Sequence, residues 1–320
     1  MAMLKLSPAC KAYLWGGRRL REEYHVRSEQ DVVAEAWELS CNDAGCSVIS
    51  QGEDAGMTLK EYIEENGRKI LGKNCRRFRQ FPILTKLIDA KDNLSIQVHP
   101  GDAYAKEKEN SYGKTEMWYV LDAAPGAYLY YGFSKSISRE EFEKRILENT
   151  LPEVLNKVPV KKGDVFFIKA GTIHAICAGI VIAEIQQNSD LTYRVYDYGR
   201  VGADGRTRQL HIKEALEVTD TKAVKPPVSF APHLGTCEYF TVDKAVVRED
   251  ADWHGTVDDA SFLHILIVDG SGSVSAEGES TWLKRGDSVL LTAGSRDVTI
   301  SGACQALLTT IPGEYQYETA

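Results

Sequence analysis

Gln97 and His99 stand two apart in the run LSIQVHP, where apolar and polar residues alternate, so both project from one face of a predicted strand. Pro100 ends that strand. Glu116 opens the run EMWYVLD, whose aromatic and β-branched residues predict a second strand with the carboxylate at its mouth. His174 follows Gly171 by three residues, on a turn between VFFI and IVIAEI. Two imidazoles, a carboxylate and an amide oxygen suit a divalent ion of the zinc type, with room left for water or substrate. An amide is a poor ligand, so Gln97 either joins the set or orients His99. Any of the four taken singly is explained as an ordinary polar side chain. Their framing by Pro100-Gly101 and by Gly163-Asp164 argues for a set.

The chain is acidic, with a formal net charge of −8 and a pI near 5.5, which excludes general nucleic-acid binding because a phosphate backbone rewards a basic face. A phosphate-bearing small molecule would have to meet local positive charge. Lys86, Lys91, Lys114, Arg194 and Arg200 lie close in sequence to the ligand strands, and Ser95 shares the face of Gln97 and His99. Such a group could receive a phosphate monoester. Each cation alone reads as solvated surface charge, as does RRFR at 76–79.

The elements that must position these residues are short. Residues 4–56 read as strands and turns, and Thr58-x-x-Glu61 is a capping box that predicts a helix to about Leu71. A second box, Ser138-x-x-Glu141, predicts a helical stretch towards Val158, ended by Pro159, whose Phe142, Ile146, Leu151 and Leu155 pack on the strands. Pro226-Pro227 marks a boundary. Beyond it, Gly286-Asp287 followed by SVLLTAG repeats Gly163-Asp164 followed by VFFIKAG, which places Asp297 opposite His174. Aligning ILIVD on MWYVLD by the final Asp puts Leu263 opposite Glu116, so no ligand set survives in the repeat. Its Gly- and Ser-separated strands fit an antiparallel barrel or sandwich, with His264 as a histidine of that barrel.

LSIQVHP, GKTEMWYV, GDVFFIKAGTIHAI and EIQQNSDLTYRVYDYGR together resemble the type I mannose-6-phosphate isomerases of the short bacterial kind, and Trp15-Gly16-Gly17 and AEAWELS extend the likeness. The resemblance covers most of residues 7–200 and departs at Lys169, where the family often has proline. It implies a cupin, or antiparallel jelly-roll barrel, which with the Pro226-Pro227 boundary takes residues 1–224, the helical stretch at about 134–158 being an insertion; the repeat makes 228–320 a degenerate cupin-like domain, and the whole is mainly β. The resemblance also implies one zinc ion per chain on Gln97, His99, Glu116 and His174, with Arg194 in the active site. The implied reaction interconverts mannose 6-phosphate and fructose 6-phosphate by proton transfer between C2 and C1 through an enediolate. Ser95, Lys86 and Lys114 would hold the phosphate. Glu184 is a candidate base, as are a zinc-bound hydroxide and a neighbouring lysine. A cupin also hosts oxygenases and non-catalytic sugar-phosphate binders, for which the basic set or an exchangeable metal position would have no task.

At 320 residues, 43% hydrophobic and 26% charged, the chain suits a globular enzyme of two domains. The longest apolar run, Ala175 to Ala183, falls short of the roughly 20 residues that span a bilayer, and MAMLKLSPACK lacks a signal-peptide core, so a cytoplasmic location is expected. Seven cysteines without a paired metal motif read as free thiols of a reducing compartment; Cys41 and Cys46 flank the turn NDAG and are spaced to pair. No membrane or nucleic-acid partner is expected, and the second barrel would serve as support and as the contact of a homodimer.

Overall fold

Alternating sequence is realised as strands throughout, and the protein is mainly β. The computed structural model describes residues 2–202, 205–224 and 229–314, so Pro226-Pro227 lies outside the described residues. The chain forms two compact units, one of Met1–Lys11, Arg18–Leu87 and Ser229–Ala320, the other of Ala12–Gly17 and Ile88–Val228. Each is assembled from separated stretches of chain, and strand Ile83–Ala90 runs through the division. The compact units and the linear division at residues 224 and 228 therefore describe different things.

In the unit that holds the ligand residues, one antiparallel sheet runs in the order Leu155–Pro159, Tyr128–Phe133, His174–Ile176, Ile96–Val98, Tyr193–Tyr196. Its register sets Tyr131 opposite His174, His174 opposite Gln97, and Gln97 opposite Arg194. Register partners project from the same face, so four strands contribute one residue each to a single row. Ile96, Val98, Ala175, Tyr193 and Val195, which alternate with that row, are buried on the other side with Phe142, Ile146, Leu151 and Leu155. The insertion thus packs on the sheet as its apolar spacing predicts. A second set of strands, Val165–Ile168, Glu116–Ala123 and Ile180–Gln187, pairs Glu116 with Ile168 and with Gln186.

The other unit is organised by two long strands, Leu263–Ala276 and Arg296–Thr310, paired along most of their length. Ile265, Ile267, Val289, Leu291 and Ile300 form its core. The repeat is exact in backbone detail. Gly163 and Gly286 have φ of 92° and 91°, and Gly171 and Gly294 have 86° and 87°. Glycine takes such values at no steric cost. Gly163 N–H donates to Val120 and Gly286 N–H to Ile267, while Val120 and Ile267 return bonds to Asp164 and Asp287. Val165 pairs with Tyr119 where Ser288 pairs with Leu266. Leu263 therefore stands at the place of Glu116, buried in the core, and Asp297, at the place of His174, is exposed. The fold is a cupin followed by a degenerate second one.

The helices are shorter than their caps suggest. Thr58 and Glu61 form the reciprocal box, but the helix stops at Asn66, where Gly67 takes a φ of 76°, and a 3-10 turn covers Arg68–Leu71. Ser138 accepts the Glu141 N–H, and the helix it caps spans Arg139–Leu147. Pro159 ends no helix: Leu155–Pro159 is a strand, with Pro159 opposite Tyr128. RRFR is not simply a solvated turn, since Arg77 donates to the carbonyls of Asn74 and Pro312 at 3.0 and 2.9 Å. Among the described residues no helix is long and apolar enough to cross a membrane.

Candidate metal centre and active site

The row Tyr131, His174, Gln97, Arg194 gives one wall of the site, and Glu116, first residue of its strand, faces it. His99, just past the strand Ile96–Val98, completes a cluster in which one ligand atom each from His99, Glu116 and His174 all lie within 4.8 Å of one another. All three are buried. His174 Nε2 is 3.3 Å from Glu116 Oε1, and His99 Nε2 is 3.6 Å from Glu116 Oε2.

The outer nitrogens fix the tautomers. His99 Nδ1 donates to the Leu191 carbonyl at 2.9 Å, and His174 Nδ1 to the Thr172 carbonyl at 2.9 Å. A carbonyl only accepts, so each Nδ1 carries the proton and each Nε2 turns a lone pair inward, the arrangement of metal-binding histidines. Burial draws the His174 imidazole down to about 4, against the pull of the Thr172 carbonyl, so it is neutral at ordinary pH. Two imidazole lone pairs converging on a carboxylate repel unless a cation lies among them. The donor set fits a divalent ion of the zinc type.

Gln97 lies beside this set in register, and its Oε1 accepts from Ser95 Oγ at 3.3 Å. The Lys114 ammonium enters the ligand shell itself, 3.1 Å from His99 Nε2, 2.9 Å from Glu116 Oε2 and 3.9 Å from Glu184 Oε1. Glu184 is buried opposite Trp118 in register, and the Trp118 indole N–H donates to its Oε2 at 2.9 Å. Trp118 also meets His174 edge to face, with ring centroids 5.3 Å apart.

Arg194 is half-buried, and burial, followed by the neighbouring Arg208 charge, lowers its pKa. Arg200 and Arg208 both pair with Asp197, so of the three arginines Arg194 alone is not tied to that carboxylate. Lys86 belongs to the other compact unit, where it is buried 3.7 Å from Glu35 with its ammonium over the Trp37 ring. Lys91 is exposed.

Sequence reasoning missed the supports. His211 accepts the Arg194 N–H on Nδ1 at 3.3 Å and returns its own N–H to the Arg194 carbonyl at 2.8 Å. Gln187 accepts the Thr115 N–H at 2.9 Å and donates to Asp102 at 2.8 Å, steadying the approach to Glu116. The Leu191 and Thr172 carbonyls are backbone groups that no residue type announces. A polar residue on the strand beside a ligand was the only available signal for Gln187.

Comparison with known proteins agrees with this geometry. Residues 3–127 match the family model of the phosphomannose isomerase type I catalytic domain, and residues 232–311 that of the mannose-6-phosphate isomerase cupin domain. A mannose-6-phosphate isomerase of Streptococcus mutans is 37% identical, covering 87% of this chain and 88% of its own. One from Bacillus subtilis is 35% identical over 95% of this chain and 98% of its own. The crystal structure of the mannose 6-phosphate isomerase from Bacillus subtilis superposes with a TM-score of 0.88 at 33% identity, covering 97% of this chain and 99% of that one. A mannose 6-phosphate isomerase bound with zinc and yttrium shares the fold, at a TM-score of 0.77 and 19% identity over 97% of this chain and 99% of its own. With its ligand cluster, its paired barrels and these relatives taken together, the chain belongs to the type I mannose-6-phosphate isomerases, a family of aldose–ketose isomerases.

Proposed function

We propose that this protein interconverts mannose 6-phosphate and fructose 6-phosphate using one zinc ion held by Gln97, His99, Glu116 and His174. The observation that carries this reading is the buried cluster of His99, Glu116 and His174 with both Nδ1 atoms committed to carbonyls. The zinc in a relative of the same fold supports the choice of ion. When bound, zinc supplies Lewis-acid polarisation of the sugar oxygens. The remaining work belongs to side chains. Arg194, whose guanidinium is not paired with Asp197, stabilises the oxygen that becomes negative as the enediolate develops between C1 and C2. Glu184, held by the Trp118 indole, moves the proton between those carbons. Lys114, at the ligand atoms, and Ser95, beside Gln97, bind the anionic substrate and orient its reacting carbons. The free thiols support a cytoplasmic location.

The test is a coupled assay of mannose 6-phosphate conversion by purified protein with its metal quantified, before and after chelation and zinc re-addition. Chelator-sensitive turnover restored by zinc is the expected result. Absence of turnover by folded, zinc-replete protein would overturn the reading.

A further inference from the structure

The hairpin after strand Glu35–Leu39 turns on Asp43 and Ala44, pairing Asn42 with Gly45 and Cys41 with Cys46. The next pair outward is hydrogen-bonded: Ser47 N–H donates to the Ser40 carbonyl at 2.9 Å. Hydrogen-bonded and non-hydrogen-bonded pairs alternate along an antiparallel ladder, so Cys41 and Cys46 occupy a non-hydrogen-bonded place. There, Cα atoms are only about 4.5 Å apart and the two side chains share a face. That spacing falls inside the range of about 4.4–6.8 Å that a disulfide spans. Both residues are free thiols.

Their settings differ. Cys41 is buried, and burial holds its thiol well above the ordinary value. Cys46 is half-buried, its S–H donating to the Ser40 carbonyl at 3.1 Å; contact with the Cys41 thiol, opposed by burial, draws it down to about 6. Leu59 and Lys60 open the helix Leu59–Asn66, whose N-terminal end favours an anion.

We infer that Cys41 and Cys46 form a thiol–disulfide exchange site for low-molecular-weight disulfides, with Cys46 the attacking sulfur and Cys41 the resolving one. The Cys46 thiolate attacks one sulfur of the small disulfide, whose S–S bond breaks to release one thiolate and leave a mixed disulfide on Cys46. That thiolate takes the Cys41 proton, and the Cys41 sulfur then attacks Cys46 and expels the second small thiolate. The protein loses two electrons to the small disulfide, which is reduced to two thiols. The remaining cysteines are poor competitors: burial raises Cys10 and Cys304, and pushes Cys75, Cys177 and Cys237 up to about 12.

The experiment incubates the folded, full-length protein with oxidised glutathione, alkylates the remaining thiols and maps the peptides. Wild-type protein is expected to lose the thiols at 41 and 46 together as one bond reversed by dithiothreitol. Cys41→Ser should trap glutathione on Cys46, and Cys46→Ser should leave Cys41 reduced. Retention of both thiols by wild-type protein, or preferential glutathione capture at Cys10 or Cys237, would overturn the inference. The wild-type map alone decides it if a serine variant does not fold.

Discussion

Lys114 Nζ lies 2.9 Å from Glu116 Oε2, so an ammonium reaches the same carboxylate that a divalent ion would use. It also contacts His99 Nε2 at 3.1 Å, which sets Lys114 and a metal in competition for two ligand atoms. The carboxylate of Glu184, 3.9 Å from the same ammonium, offers it an alternative partner.

Lys114→Met should therefore destabilise the metal-free protein by about 3–5 kcal/mol, the usual result of removing one partner from a buried ion pair. Zinc should recover more stability in this variant than in wild type. Urea midpoints with chelator and with zinc measure both, and equal zinc increments in the two proteins would refute the competition.

His99→Ala and His174→Ala should each lose metal and turnover together. Because a residue merely supporting a ligand changes affinity by about 10–100-fold, loss of a ligand should exceed that range. Metal content and initial rate on the same preparation are the readouts, and an active variant free of metal would remove the cluster from the mechanism.

Arg194→Ala should lower kcat by about 100–1000-fold, the scale for one preorganised donor to a developing oxyanion, with zinc content unchanged. Unaltered turnover would take Arg194 out of the chemistry.

Glu184→Gln preserves the shape of the side chain beneath Trp118 and removes its capacity to accept a proton. A decrease in kcat of about 10²–10⁴-fold is expected of a general base. Near wild-type turnover would instead pass that role to another group.

His264 gives a pH signature independent of the site. It is fully buried on strand Leu263–Ala276, neither ring nitrogen has a hydrogen-bond partner, and burial lowers its pKa to about 3. Below pH of about 6.5 the unfolded chain binds a proton that the folded one refuses until about 3, so stability falls as pH drops through that window. The slope contributed is at most about 1.4 kcal/mol per pH unit. His264→Leu should flatten the decline in urea midpoint between pH 7 and pH 5, and an unchanged slope would assign the acid sensitivity elsewhere.

Residue type and spacing made much of the site legible. Alternation placed Gln97 and His99 on one face, and the Gly-Asp repeat identified the second barrel down to Leu263 and Asp297. The parts that were not legible depend on long-range register or on backbone. Nothing local tells that Gln97 pairs with both His174 and Arg194, or that the Leu191 and Thr172 carbonyls select the histidine tautomers. The helix ends failed for a local reason: at Gly67 the backbone departs from helical geometry, and the residues after Leu151 reach the sheet as the strand Leu155–Pro159. No local signal in strand Ile83–Ala90 announces the boundary between the compact units, which falls after Leu87.

The row formed by Tyr131, His174, Gln97 and Arg194 also sets where this chain tolerates changes of length. One residue added or deleted within Ile96–Val98 or His174–Ile176 would turn its polar member into the apolar layer of Val98 and Ala175, and send an apolar one into the metal cluster. The same change in the turn at Ala124–Gly126, between the strands ending at Ala123 and starting at Tyr128, would leave every inward side chain in place. Indels in working homologues should thus gather at the turns and be absent from the two three-residue strands.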